Sequence, residues 1–138
     1  MNILDKDFQK NPYVIELETH SDQRGLLVTF ATEDIPFTIQ RIFTLSVNES
    51  NTARGGHAHK RCWQAILSIG NQLEIRTINE ASDWQYFNIS SGRCLILPPN
   101  NWSELIFTST SSYALVVASE LYDKEDYVYE IPHNKLTK

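Results

Sequence analysis

No stretch of apolar residues in the chain approaches the ~20 that a membrane-spanning helix needs, which argues against a helical membrane protein. Cysteine is scarce. Cys62 and Cys94 form neither a zinc pattern nor a disulfide framework, and they read as buried apolar fillers kept reduced. There is no basic block: Lys plus Arg number 12 against 17 Asp plus Glu, a net charge of −5. Such a balance does not suit duplex nucleic acid or an anionic membrane surface. It leaves room for local arginines that hold a small anion. The segment Met1-Asn2-Ile3-Leu4-Asp5-Lys6-Asp7 lacks the apolar h-region of a signal peptide, so a cytoplasmic protein is expected. Internal repeats and low-complexity segments are missing. Helical patterning is weak, with only the tail from Asp123 suggesting a turn or short helix.

What is present points to strands. The 138 residues suit one domain spanning 1–138, and hydrophobic residues at 41% exclude disorder. Short runs rich in Ile, Leu, Val, Phe and Thr are broken by Gly, Pro, Asn, Asp and Ser, which is the pattern of many short strands. They fall at 13–18, 26–30, 39–47, 62–69, 72–78, 85–89, 93–97, 104–107 and 113–118. The clearest alternation sets Leu73, Ile75 and Thr77 against Gln72, Glu74 and Arg76. Gly70-Asn71 has the composition of a two-residue hairpin turn. Antiparallel strands at this density predict an all-β sandwich, jelly roll or small barrel.

Chemistry concentrates in Arg54-Gly55-Gly56-His57-Ala58-His59-Lys60, which holds two of only four histidines. On a strand, His57 and His59 share one face with Cα atoms ~6.5 Å apart. The glycines permit a bend or a close approach to the backbone. Arg54 and Lys60 add two cations. Paired imidazoles suggest either a shared metal ion or proton transfer near neutrality. Trp63, Trp84, Trp102, Phe30, Phe43 and Phe107 read mainly as packing residues, with room for one of them to stack on a base.

The order glycine, His57-x-His59, Gln64, Gly70, then Gly92 and Pro98, resembles the two signature motifs of the cupin superfamily. Metal-binding cupins place a glutamate near Gln64 and a histidine near Ser103, both replaced here by weak ligands, so no metal is expected. A finer resemblance is carried by Asp22-Gln23-Arg24-Gly25, Pro36-Phe37-Thr38-Ile39-Gln40-Arg41, the histidine block, Leu115-Val116-Val117-Ala118-Ser119 and Tyr122-Asp123-Lys124-Glu125-Asp126-Tyr127. In that order they are similar to the nucleotide-sugar 3,4-ketoisomerases, cupins that act on dTDP-4-keto-6-deoxyglucose.

That resemblance implies a cupin jelly roll of antiparallel strands. It also implies an isomerase that moves a carbonyl between C4 and C3 of a dTDP-linked 6-deoxyhexose through an enediol, without a cofactor. His57 would be the base at the sugar carbon and His59 the proton shuttle. Arg24 and Arg54 would contact diphosphate or sugar oxygens, and Lys60, Gln64, Ser103 and Glu104 complete the expected substrate-binding set. Arg24 can alternatively serve only its turn with Asp22, and Glu104 can be a surface carboxylate. The family further implies a homodimer, often with exchanged amino-terminal strands, and a product used for deoxyamino sugars of lipopolysaccharide O-antigen or other surface polysaccharide. The chain departs from the family pattern in Gln40-Arg41-Ile42-Phe43-Thr44, where members often have a tyrosine. It also departs at Ser103, where many have histidine, and at Tyr129, where the tail often has arginine. A metal-dependent cupin, a non-catalytic nucleotide-sugar binding module and a 3,5-epimerase remain the alternatives.

Overall fold

The computed structural model describes residues 10–132. The segment 1–7, which bears on the signal-peptide question, lies outside them, as do His133 and the residues after it. Among the described residues twelve strands form: β1 Tyr13–Glu16, β2 Glu18–Asp22, β3 Gly25–Thr29, β4 Arg41–Leu45, β5 Thr52–His59, β6 Gln64–Gly70, β7 Leu73–Ile78, β8 Gln85–Ile89, β9 Arg93–Leu97, β10 Trp102–Phe107, β11 Ser112–Ala118 and β12 Tyr127–Val128. Three-residue 3₁₀ turns sit at Thr32–Asp34 and Lys124–Asp126, the second within the tail where a turn was expected. Among the described residues no helix is long and apolar enough to cross a membrane.

The strands form two five-stranded sheets, in the orders β1-β9-β6-β11-β4 and β12-β5-β10-β7-β8, with a separate β2–β3 hairpin. All pairings are antiparallel. This is the double-sheet jelly roll expected from the motifs. Alternation decides which side chains meet between the sheets. Leu73, Ile75 and Thr77 of β7 are buried, and Leu73 and Ile75 join Ile66, Leu95, Leu105, Phe107 and Val116 in the core between the sheets. Each large apolar side chain so buried contributes roughly 1.5–3 kcal/mol. A second apolar layer covers the outer face of the first sheet, where Leu17, Ile35, Phe30 and Phe37 pack on Ala65, Leu67, Ile96 and Val117.

One expectation requires correction. Gly70-Asn71 is not a hairpin turn, because β6 pairs with β9 and β11 while β7 pairs with β8 and β10. The chain crosses there from one sheet to the other. Gly70 has φ +90°, and a Cβ on it would collide with the Ser111 carbonyl oxygen. The corner therefore needs glycine for close approach rather than for a two-residue turn. β1 pairs with β9, Tyr13 opposite Ile96 and Glu16 opposite Arg93.

The strand that carries the histidines is shaped by a bulge. Ser103 pairs with His57 and Glu104 with Gly55, leaving Gly56 as the extra residue in β5. Gly55 and Gly56 have φ of +96° and +80°, conformations that side-chain-bearing residues avoid. A Cβ on Gly55 would stand 3.1 Å from the Ser103 carbonyl oxygen. Strict alternation would put Arg54 and His57 on opposite faces. The extra residue resets the parity, so both turn toward the space between the sheets.

Candidate active site

A cavity of about 200 Å³ opens between the sheets, lined by Phe43, Leu45, Ile66 and Val116 from one and Arg54, His57, Ser103 and Leu105 from the other, with Gln64 and Tyr127. Four residues expected at the site, Arg54, His57, Gln64 and Ser103, thus converge from three strands. Ala58, between the histidines, faces outward against Ile78 and Trp102. His57 and His59 share the inward face, their rings 5.0 Å apart and near perpendicular. Tyr127 closes the arrangement, its ring 4.6 Å from that of His57 and 4.5 Å from that of His59.

The two histidines differ in surroundings. Burial pushes the His57 pKa down, neighbouring His59 adds to this, and a hydrogen bond to the Gly55 backbone pulls partly back, leaving it at about 4. His57 is therefore neutral near pH 7 and free to accept a proton. His59 is buried at 4% exposure, and its Nδ1 lies 2.8 Å from Oδ2 of Asp126, itself 3% exposed. Burial lowers the His59 pKa, the Asp126 bond and charge oppose it, and the Arg41 charge adds to the lowering, which prevails. Burial would raise the Asp126 carboxyl, but the Arg61 N–H at 2.7 Å and the bond to His59 outweigh it and hold the pKa low. On its far side, His59 Nε2 lies 3.4 Å from Nε2 of Gln64. Both ring nitrogens of His59 are engaged, and His59 is not part of the cavity wall.

Asp126 itself is held by the tail turn. Asp123 caps that turn by accepting from the Glu125 N–H at 3.0 Å, and Arg61 reaches Asp123 at 2.8 Å. The Tyr122–Tyr127 block stands out in the sequence as a motif without a role for Asp126 or Tyr127, because His59 and Asp126 are 67 positions apart.

Other expected residues fall elsewhere. Glu104 alternates away from the cavity and pairs with Arg76 at 2.9 Å, beneath Trp84 and Trp102. Lys60 is exposed, and its backbone N–H is tied to the Asp126 carbonyl. Arg24 lies on the β2–β3 hairpin at 87% exposure, bonded to Asp22, in a cleft with His20, Leu26 and Leu27 that is separate from the histidine cavity. Trp102 is a packing residue whose indole N–H donates to the Tyr129 carbonyl. Cys62 and Cys94 are free and buried as expected, and burial drives the Cys94 thiol up to about 12. Among the described residues, donor atoms of His59, Cys62 and Asp126 lie within 4.8 Å of one another. A cation there would have to displace the short His59–Asp126 hydrogen bond.

The family profile described as WxcM-like, C-terminal (FdtA) matches residues 10–136, nearly the whole chain. The chain belongs to this family. It is 27% identical over 124 residues to TDP-4-oxo-6-deoxy-alpha-D-glucose-3,4-oxoisomerase of Aneurinibacillus thermoaerophilus, covering 88% of each chain. Among solved structures it is similar to a variant of the 3,4-ketoisomerase QdtA from Thermoanaerobacterium thermosaccharolyticum in complex with TDP-4-keto-6-deoxyglucose. The TM-score is 0.80 and the identity 25%, over 87% of this chain and 88% of that one. The WlaRB TDP-quinovose 3,4-ketoisomerase of Campylobacter jejuni matches with a TM-score of 0.76 and 27% identity, over 88% of this chain and 94% of that one. The cupin jelly roll predicted from the motifs is the fold of this FdtA-family chain.

Proposed function

We propose that this FdtA-family protein is a 3,4-ketoisomerase of a dTDP-4-keto-6-deoxyhexose, working by histidine acid–base chemistry. The observation that carries the reading is a neutral, cavity-facing His57 held beside polar groups in a pocket between the sheets. At about 200 Å³ the cavity is smaller than the ~300–1,000 Å³ typical of sites that enclose a drug-sized ligand. It suits the sugar ring, with the nucleotide outside. Arg54 lines both this cavity and a neighbouring cleft formed by Ser46, Val47, Asn48, Glu49 and Thr52, a place for the diphosphate or base.

In this mechanism His57 takes the proton from C3, and the C3–H bonding electrons move toward the C4 carbonyl oxygen. Protonation of that oxygen gives the 3,4-enediol. The C3 hydroxyl then loses its proton, C4 gains one, and the carbonyl stands at C3, so the reaction is redox-neutral overall. The substrate's own carbonyl acidifies the C3–H bond, and a positioned base supplies ~10²–10⁴-fold in rate. The purified chain should convert dTDP-4-keto-6-deoxyglucose to the 3-keto isomer after EDTA dialysis. Product formed only on adding back a divalent ion would favour the metal-dependent alternative instead.

A 3-keto sugar is a substrate for amination at C3, which supports a place in making deoxyamino sugars of O-antigen or other surface polysaccharide. Free, buried Cys62 and Cys94 and a dTDP-activated substrate fit a cytoplasmic setting. A homodimer is part of the reading. Its support is the exposed Leu26, Leu27, Ile42 and Tyr113, with Leu27 and Ile42 each at 60% exposure. Arg24 lines a separate cleft on the β2–β3 hairpin, and in the homodimer reading it contacts substrate bound to the second copy. Light scattering should give a mass near twice 15.9 kDa. A concentration-independent mass of one chain would remove both the dimer and the Arg24 contact.

A further inference from the structure

We propose that the buried Asp126–His59 pair fixes which way the Gln64 amide faces, so that its carbonyl oxygen accepts from the sugar hydroxyl beside the keto group. The sugar contact rests on the ketoisomerase reading; the amide orientation does not.

Asp126 Oδ1 accepts the Arg61 N–H at 2.7 Å, and Oδ2 lies 2.8 Å from His59 Nδ1. A carboxylate only accepts, so Nδ1 must carry the ring proton. His59 is neutral near pH 7 because burial and the Arg41 charge outweigh the pull of Asp126. Its Nε2 is then a bare lone pair, and a lone pair 3.4 Å from the Gln64 amide can take only an amide N–H. That choice leaves the Gln64 carbonyl oxygen and its second N–H for the cavity that Gln64 lines. An α-hydroxyketone presents one hydroxyl donor and one carbonyl acceptor on adjacent carbons, and the free amide edge complements such a pair. Gln64 is thereby a specificity residue, with His59 and Asp126 as positioning residues behind it.

The arrangement has a consequence that a purely structural role would not produce. In Asp126→Asn the amide oxygen must stay on the Arg61 N–H, so its NH₂ faces His59 Nδ1. The ring proton moves to Nε2, Gln64 must turn its oxygen toward the ring, and the cavity receives a donor in place of an acceptor. The test combines long-range ¹H–¹⁵N spectra of the imidazoles with turnover of the keto sugar and binding of dTDP alone. In the parent chain the His59 proton should sit on Nδ1, and in Asp126→Asn on Nε2. Gln64→Leu should keep the proton on Nδ1 but shift the Nε2 resonance. Each single variant should lose roughly 10–100-fold in kcat/KM, with dTDP affinity nearly unchanged as the check on folding. The double variant should lose no more than the worse single one, because both remove the same contact. A ring proton on Nε2 in the parent chain, full activity in Gln64→Leu, or additive losses in the double variant would overturn the proposal. A parent chain with the expected tautomer and no turnover would instead be the failure of the ketoisomerase reading, and would remove the sugar contact with it.

Discussion

His57→Asn should lower turnover of the keto sugar by roughly 10²–10⁴-fold while dTDP binding is largely kept. The asparagine keeps polarity and approximate size but has no basic nitrogen that can take a proton from carbon. Its position is set by the Gly55–Gly56 bulge, which the substitution leaves alone. The loss should therefore fall on kcat rather than on KM. His59→Asn should also impair turnover, yet retain slow exchange at C3, because His57 remains in place. Near-parental turnover in His57→Asn would remove His57 from the role of base.

Acid should destabilise the fold well before its carboxylates titrate. His57 has a pKa of about 4 in the folded chain against ~6.5 unfolded. Between those values the unfolded chain binds more protons, so stability is full above pH ~6.5 and falls as pH drops toward 4. His57 keeps partial contact with solvent, so screening cuts its contribution and the loss from it alone is on the order of 1–2 kcal/mol, against the ~5–15 kcal/mol that holds a domain folded. His59, whose pKa is also lowered, adds in the same direction below ~6.5. Asp126, held low, acts only further down, where its stabilisation is lost as pH falls below the usual carboxylate range. Urea unfolding midpoints taken between pH 7 and pH 4 should fall steeply in the parent chain and less steeply in His57→Asn. The same neutral imidazole places the acid limb of kcat/KM near pH 4 instead of 6.5. Equal pH slopes in the two proteins would show that His57 is not desolvated.

Local pattern carried much of this architecture. Period-two alternation identified the buried face of β7, and the His-x-His spacing placed both rings on one face of β5. Where neighbours in sequence part company in space, the pattern failed. Gly70-Asn71 has hairpin composition, but the strands it joins belong to different sheets. β5 begins at Thr52, yet Arg54-Gly55-Gly56 breaks the alternation that would mark a strand, because a bulge needs that break. Ser103 and Glu104 read as one polar pair and face opposite sides of β10. The His-x-His spacing presents His59 as one of two matched imidazoles. Its carboxylate partner arrives from a tail turn near the other end of the chain, and no spacing rule connects the two.

Proton NMR of dTDP-4-keto-6-deoxyglucose with the purified protein in D₂O tests the central claim most directly. A 3-keto product carrying deuterium at C4, with exchange slowed at least about 100-fold in His57→Asn, is the result expected. Deuterium at C5, the mark of a 3,5-epimerase, would contradict the account, as would a wild-type protein that binds the nucleotide sugar and exchanges nothing.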